Sequence, residues 1–349
     1  MKTERSGRAS WQTLGAALGL AAMVAAGPAV AQQPTEVNIY SGIPREQAEQ
    51  VTAAFAKTYP QPVKFNILYG PTEELIAQIN LEQQSGQPKA DVLWLDKPQL
   101  QALAKRHKGI FAEVNSKNFD NVLASVKTDD YKRVVPTGLL LYVIMYNRNV
   151  VSDADAPKSF ADLLNAKWTN KIIMANPQSS AGVHNFFWLI TQHLAGKPPF
   201  GWEYFTKLNA LKPQYVSGHG PIRDQVISGE RPVGIQLQFY VNDPIKRGEK
   251  VWWTWPAEGV ATGQVSAAVM DKSKKKDVGT ALVDWMISPA GQEAIAKHVS
   301  LAPVNSAVDI KFPDGKKTSD LKLVPVDTTY ITEHRADIIK GFQKAIDAR

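Results

Sequence analysis

From Val37 onward the chain repeats one pattern: a short apolar run, a break rich in small residues, then a longer segment of helical periodicity. That alternation predicts an α/β architecture, because strands buried on both faces need crossover helices to cover them. Val37-Asn38-Ile39-Tyr40 reads as a strand, Ser41-Gly42-Ile43-Pro44 as a turn, and Glu46 to Tyr59 as an amphipathic helix. Val63 to Tyr69 is strand-like, Gly70-Pro71 breaks it, and Thr72 to Glu82 is helical, with Thr72 placed to cap the helix. Asp91 to Leu95 forms a third strand and Pro98 to His107 a third helix, ending near Lys108-Gly109.

Pro136 to Met145 is an apolar, β-branched-rich run of the kind found in buried strands, and the order then begins afresh. A first crossing between two lobes is placed near Pro136. Phe160 to Leu164 and Trp168 open the second lobe, Lys171 to Ala175 makes a strand, and Ala181 to Leu194 a helix behind the turn Asn176-Pro177-Gln178-Ser179-Ser180. Pro221 to Ile227 and Pro232 to Leu237 form a helix and a strand ahead of the aromatic stretch Val251-Trp252-Trp253-Thr254-Trp255. Gly259 to Gly263 is the return crossing, Val265 to Met270 a strand of the first lobe, and Val278 to Ile287 and Pro289 to His298 closing helices. The expected domains are residues 32–135 with 260–349 as a discontinuous first lobe, and 136–259 as the second.

Residues 1–31 stand outside this pattern. Lys2, Arg5 and Arg8 precede an apolar run from Leu14 to Ala26, and Ala29-Val30-Ala31 supplies a small-residue cleavage pattern, as in a secretory leader cut after Ala31. The run is short of the ~20 residues of a spanning helix, which favours cleavage over anchoring. No cysteine stands at the junction, so a lipid-tethered form is not expected; with no cysteine anywhere, disulfides, thiolate metal sites and cysteine nucleophiles are excluded together. The formal charge of +7 over 349 residues is mild and spread out. Apart from Lys272 and Lys274 to Lys276, read as a solvated turn, the basic residues do not cluster, and no nucleic-acid partner is expected.

Three turns share one design, a strand ending in small or hydroxyl residues before a helix start: Tyr40-Ser41-Gly42, Gly70-Pro71-Thr72 and Gln178-Ser179-Ser180-Ala181-Gly182. Unpaired N–H groups at such starts, with a hydroxyl beside them, favour an anion. Converging on one cleft they would hold a phosphate, phosphonate or carboxylate, and Arg45 just beyond the first turn would neutralise it. Each turn also reads as an ordinary helix cap. His184 and His219 fall near loops of the second lobe, as donors to an anion or as partly buried structural residues. His107, His184, His193, His219, His298 and His334 show no zinc-hydrolase spacing, so no metal or other cofactor is expected. On a strand Trp253 and Trp255 share one face and Trp252 takes the other, which places at least part of this cluster in the core rather than on a ligand. No nucleophile elbow, P-loop or dinucleotide fingerprint is present, so no catalytic residue is assigned.

The order of these motifs resembles the periplasmic solute-binding proteins of ABC importers, in the group of ferric-iron, phosphonate and sugar-phosphate binders. The resemblance runs over nearly all of residues 37–305. It is carried by Val37-Asn38-Ile39-Tyr40-Ser41-Gly42, Ala90-Asp91-Val92-Leu93-Trp94, Gly229-Glu230 before Val233-Gly234-Ile235, and Glu258-Gly259 before Ser266-Ala267-Ala268-Val269. Asp284-Trp285, the block Ser288-Pro289-Ala290-Gly291-Gln292-Glu293-Ala294 and the later Ala302-Pro303-Val304 complete it. The resemblance implies a two-lobed, type II periplasmic-binding-protein fold with two crossing segments at the hinge. It also implies a monomer that traps a small ligand by closure in the periplasm and presents it to an inner-membrane ABC permease. The ferric binders' ligand positions fall at Pro44, Glu73 and Phe239-Tyr240; only Glu73 and Tyr240 keep a usable oxygen, so the usual iron site is not expected.

The resulting expectation is binding without catalysis: an organophosphate or phosphonate held by Ser41, Gly42, Arg45, Thr72 and Glu73 from the first lobe and by Ser179, Ser180, Gly182 and Tyr240 from the second. The alternatives are a ferric-ion carrier using Glu73 and Tyr240, and a secreted phosphoester hydrolase.

Overall fold

The computed structural model describes residues 33–348; the leader and its cleavage position lie outside them. In chain order the elements are β1 (Thr35–Ser41), α1 (Arg45–Ala56), β2 (Val63–Tyr69), α2 (Thr72–Gln84), β3 (Val92–Asp96) and α3 (Lys97–Arg106). They continue with β4 (Val135–Asn147), β5 (Ile172–Ala175), α4 (His184–Trp188), α5 (Trp202–Ala210), β6 (Gln214–Val216), α6 (His219–Ser228), β7 (Val233–Leu237) and α7 (Phe239–Lys246). β8 (Val251–Thr254), β9 (Val260–Val269), α8 (Lys276–Met286), α9 (Pro289–His298), β10 (Leu323–Pro325) and α10 (Thr328–Asp347) complete the fold. None of the described helices is long and apolar enough to cross a membrane.

Ten strands hydrogen-bond in the order β2-β1-β3-β9-β4-β7-β5-β6, with β10 on β9 and β8 on β4. β1 pairs in parallel with β2 and β3, as its two strand-helix-strand crossovers require, and β5 pairs in parallel with β6 and β7. β4 joins the two halves. Its first part, Val135 to Leu141, runs antiparallel to β9, and from Tyr142 to Asn147 it pairs with β7 and β8 instead. All thirteen of its residues are buried, which explains why its sequence is apolar without alternation. β9, which follows the second half in sequence, is bonded to β3, to the first part of β4 and to β10. The return crossing read at Gly259 to Gly263 is therefore mostly strand, entered through Gly259 at φ 124°.

Packing fixes the helices that matter for the cleft. Leu75 and Ile79 of α2 and Leu100 and Leu103 of α3 enter one apolar cluster with Leu93 and Leu95 of β3, each such side chain contributing about 1.5–3 kcal/mol of burial. On the other half α6 lies so close to β7 that a Cβ on Gly234 would stand 2.7 Å from the Ile222 side chain. α10, which the sequence reading did not assign, packs against both halves. Its first turns reach Pro98 through the Thr332 hydroxyl at 3.4 Å and pair Glu333 with Lys105 at 3.5 Å. Its last turns bury Phe342 against Phe187 and Tyr215, with Ile346 accepting a hydrogen bond from Asn209. Between these stretches His334 departs from helical geometry at φ −110°, ψ 18°.

Candidate functional site

In this fold the C-terminal ends of β1, β2 and β3 on one half, and of β5, β6 and β7 on the other, open onto a single cavity of about 610 Å³. Strand ends are where backbone and helix starts are free to meet a ligand in an open α/β sheet. The cavity takes Gly42, Thr72, Glu73 and Asp96 from the first half and Ser179, Ser180, Gly182, His219, Arg223 and Tyr240 from the second. A larger recess of about 820 Å³ lies at the outer edge of the first half, lined by Lys108, Lys272, Lys274 and Lys275. It touches one half only, so closure of one half on the other would leave it unchanged.

The first wall is acidic. α2 begins at Thr72 behind Pro71, and its first turn carries Glu73 and Glu74. Thr72 is thus the first helical residue and not the cap expected of it; its hydroxyl points to the Asp96 carboxylate at 3.5 Å. Gly42 lets the β1 turn pass this hydroxyl, since a Cβ there would come within 3.0 Å of it. Glu73 is held by Arg335 of α10 at 3.1 Å and by the Gln99 amide at 3.3 Å. Asp96 occupies the N-cap position of α3 without making a capping bond. Burial, with Glu73 adding to it, pushes its carboxyl up to about 6 against the restraint of the Thr72 hydroxyl. Lys97 next to it turns away, fully buried, and donates to the Val126 carbonyl at 3.0 Å and Gln264 at 2.9 Å.

The second wall is built from hydroxyls, a helix start and a guanidinium. α6 starts at His219 behind Gly218, has no acidic residue in its first turn, and bears Arg223 one turn in, whose Nε donates to the adjacent Asp224 at 2.8 Å. The dipole of the α6 start is therefore not neutralised from within its first turn. Ser179 and Ser180 stand opposite, but α4 begins only at His184, so the helix expected from Ala181 starts three residues later. The N–H groups of Ser179 and Ser180 both bond to the Asn176 carbonyl, at 3.2 and 2.9 Å, and the Ser179 hydroxyl reaches the same carbonyl at 3.4 Å, so the hydroxyls are what the turn can offer a ligand. The Gly182 carbonyl accepts from the Tyr142 hydroxyl and from Asn185, which fixes the turn against β4.

His219 shows what this wall presents. Gln236 accepts the Leu237 N–H at 2.8 Å through Oε1 and donates to the His219 carbonyl at 2.8 Å through Nε2, so its amide orientation is set. His219 Nδ1, 2.6 Å from the same Oε1, must then be the protonated nitrogen. Burial lowers the ring's pKa to about 4 despite that bond, so at neutral pH Nε2 carries a lone pair. It is buried and has no hydrogen-bond partner among the described residues. Gly182 lies directly beside it: a Cβ there would sit 3.6 Å from Nε2 and 3.8 Å from the Tyr142 hydroxyl. Tyr240 stacks on the His219 ring at 5.7 Å, and burial, with the nearby Tyr69 and Asp96, pushes its phenol up to about 12.

Of the residues singled out in the sequence, Gly42, Thr72, Glu73, Ser179, Ser180, Gly182 and Tyr240 line this cavity. Ser41 and Arg45 do not. The Ser41 hydroxyl is fully buried and bonds both the N–H and the carbonyl of Ile43, at 3.0 and 3.1 Å. Arg45 is exposed beside Glu49 and Lys64 in a separate depression. Asp96 and Arg223 were not anticipated, and His219 was weighed as a donor or as a partly buried structural residue, not as an acceptor. The run Ser217-Gly218-His219-Gly220-Pro221 carried a usable signal, small residues followed by a proline suited to a first helical turn. None of the three tryptophans of Val251 to Trp255 lines the cavity: Trp253 is buried, Trp252 lies under Arg148 at 4.3 Å, and Trp255 donates to Asp314 at 2.6 Å.

Two α/β halves that share strand β4, with β9 leading the chain back to the first, around one cleft define a type II periplasmic binding protein, the solute-binding component of an ABC importer. Residues 50–322 match the bacterial extracellular solute-binding protein family, and the chain belongs to it. It is 25% identical over 331 residues to the major ferric iron-binding protein of Neisseria meningitidis serogroup B, covering 91% of this chain and 94% of that one. Among solved structures it resembles iron-bound HitA from Pseudomonas aeruginosa, with a TM-score of 0.74 at 20% identity over 89% of this chain and 99% of that one. It resembles equally the periplasmic binding protein AfuA from Actinobacillus pleuropneumoniae with fructose-6-phosphate bound, with a TM-score of 0.74 at 21% identity over 91% and 100% of the two chains.

Proposed function

We propose that this protein captures a small anionic solute, an organophosphate or phosphonate, in the cleft and delivers it to a membrane permease without transforming it. In this reading the leader is removed after Ala31, the protein works in the periplasm, and residues 136–259 close over residues 32–135 and 260–349. The observation that carries it is the start of α6, whose first turn holds no acid and places Arg223 in the same cavity as the Ser179 and Ser180 hydroxyls. An anion seated there receives the Arg223 N–H groups not engaged by Asp224, free N–H groups of the helix start and hydroxyls from one wall. Contact with both walls makes it bind the closed form more tightly than the open one, which is what drives closure. The likeness to AfuA with fructose-6-phosphate is in keeping with such a ligand.

The test is to purify the protein from cells, denature it, and identify the released small molecules by mass spectrometry with iron measured in the same sample. A phosphorus-containing anion at about one per chain is the expected result; its absence with iron at that ratio overturns the reading.

Glu73, Tyr69 and Tyr240 lining one cavity favour a second reading, a ferric carrier, in line with the relatives in Neisseria and Pseudomonas. Against it, Phe239 offers no oxygen and Glu73 is already paired with Arg335. A ligand-to-metal charge-transfer band on adding chelated iron, lost in Tyr240→Phe, would establish it.

A further inference from the structure

β4 is not the only element that spans the two halves. α10 touches both walls of the cleft: Arg335 Nη1 reaches Glu73 of the first at 3.1 Å, and Gln343 accepts from Gln178, the neighbour of the serine turn on the second, at 3.1 Å. Glu73 and the serines line the cavity, whereas Arg335 and Gln343 do not. The helix breaks at His334, on whose ring Tyr330 packs at 4.3 Å. Arg335 is therefore the first residue of a regular stretch that runs to Asp347. Eight residues separate it from Gln343, a rigid span of about 12 Å, so the spacing of Glu73 from the serine turn is carried through one piece of helix.

The stretches on either side of the break follow different halves. Upstream the helix lies on α3, where the Thr332 hydroxyl donates to the Pro98 carbonyl at 3.4 Å and Glu333 pairs with Lys105 at 3.5 Å. Downstream it is fixed to the second half. Phe342 is fully buried against Phe187 and Tyr215, Asn209 donates to the Ile346 carbonyl at 2.9 Å, and a Cβ on Gly341 would stand 2.3 Å from the Trp202 ring. A close-packed contact of that kind does not slide by small amounts. Arg335 thus belongs to the stretch held by the second half, yet its ion pair is with the first. Glu73 is its one ion-pair partner among the described residues, and its buried Nε has no hydrogen-bond partner there. The guanidinium also lowers the pKa of His184 at the head of α4, which places its charge between the halves.

We infer that α10 is a further crossing between the halves, pivoted at His334, and that the Arg335–Glu73 pair is a clip across this pivot that sets how far the walls stand apart before a solute enters. Arg335 is then a positioning residue, acting through the angle between the halves and not by lining the cavity. A partly exposed ion pair is weak enough to open and re-form as the halves move. The resting angle bears on capture because apparent affinity falls with the fraction of protein in the competent arrangement. None of this depends on which solute is carried.

The chain has no cysteine, so a nitroxide pair can be placed by Leu81→Cys on the first half and Val150→Cys on the second, positions that are 66% and 55% exposed. The distance between the labels is read by pulsed electron resonance in the full-length secreted protein, dialysed free of solute, with thermal melting of every variant as a check on the fold. Arg335→Ala and Glu73→Gln are each expected to move the mean distance by more than about 2 Å, the scale of a domain rearrangement, and in the same direction. The double variant should move it no further than either alone, because both remove one interaction. Glu73→Gln, which is isosteric, carries the test should Arg335→Ala fail to fold. Lys105→Ala, which removes an exposed pair of the same helix, should leave the distance as it was. An unchanged distance in the folded Arg335 and Glu73 variants overturns the clip, whatever their melting temperatures. Additive shifts in the double variant overturn it as well, and so does a shift in Lys105→Ala as large as that in Arg335→Ala. With no solute present, none of these outcomes touches the capture of an anion.

Discussion

The two walls of the cleft are made from the same unit, a parallel strand running into a helix, yet they offer opposite chemistry. On the first half the helix starts carry their own acids: Glu73 and Glu74 on α2, Asp96 at the head of α3. These satisfy the local dipoles and leave acceptors facing the cavity. On the second half α6 begins with glycines, a histidine and a proline, holds no acid in its first turn, and follows it with Arg223. What distinguishes the walls is whether the first helical turn carries its own acids; on the second it does not, although Arg223 one turn in is paired through its Nε with Asp224 at 2.8 Å.

Acid should separate the walls most strongly. His184 and His219, on the second half, are buried neutral with pKa values lowered to about 4, by burial first in both, aided at His184 by Arg335. The unfolded chain takes up protons near pH 6.5 and the folded one does not, so their contribution is whole above that pH and is lost on acidification toward 4, on the order of 3 kcal/mol each. Asp96 acts in reverse. Its folded pKa of about 6 exceeds the unfolded value, so it adds stability as the pH falls through 6, by about 2 kcal/mol after allowance for its partial exposure. Denaturant unfolding at pH 7 and pH 4.5 should show a net loss on acidification, and Asp96→Asn should deepen that loss. A variant whose acid sensitivity matches the unmodified protein would mean that Asp96 is not held as described.

Reversing the charge of the second wall is the next largest change. Arg223→Glu should weaken ethyl phosphate binding by at least about 100-fold, since a charge-assisted pair is lost and a repulsion gained. The exposed Glu74→Gln on the first wall should change it less than about threefold. Comparable losses in the two variants would show that the anion does not prefer the second wall. The double variant Ser179→Ala with Ser180→Ala removes two neutral donors and should cost about tenfold, at roughly 0.5–1.5 kcal/mol per hydrogen bond. An unchanged affinity there would restrict the anion to α6 and Arg223, and would show that a turn whose N–H groups serve the Asn176 carbonyl does not hold it.

The sequence carried the architecture further than the site, and particular residues show why. Strand and helix periodicity depend on neighbours in the chain, and β2, the apolar run of β4 and the helices on either side of Ser288 fall close to where the pattern places them. α10 escaped because its apolar residues, Ile331, Ile338 and Phe342, answer to two different halves on either side of the departure at His334. At the site, the hydroxyl-bearing turns of the second half and Thr72 were legible as types. The uncapped state of Asp96 was not, because a carboxylate after a buried strand reads as a helix cap until the absence of the capping bond is seen. Neither was the acceptor state of His219, which is set by Gln236, seventeen residues away in sequence.

The smallest expected effect is also the sharpest on placement. Ser41 and Arg45 belong to the first of the three turns, and by sequence alone that turn is as good an anion site as the other two. In the fold, β1 and β3 bring Gly42 to the cavity, while Ser41 turns its hydroxyl into Ile43 and Arg45 leaves on the outer side of α1. Arg45→Ala should therefore shift ethyl phosphate affinity less than about twofold, the residue being remote and the field of an exposed charge screened within about 10 Å at ordinary salt. Ser41→Ala should lower stability by about 1 kcal/mol through the lost turn bond and leave that affinity as it was. A clear loss of binding in Arg45→Ala would place the anion on the first wall, beside Asp96 and Glu73, and the contrast between the walls would then have been drawn the wrong way round.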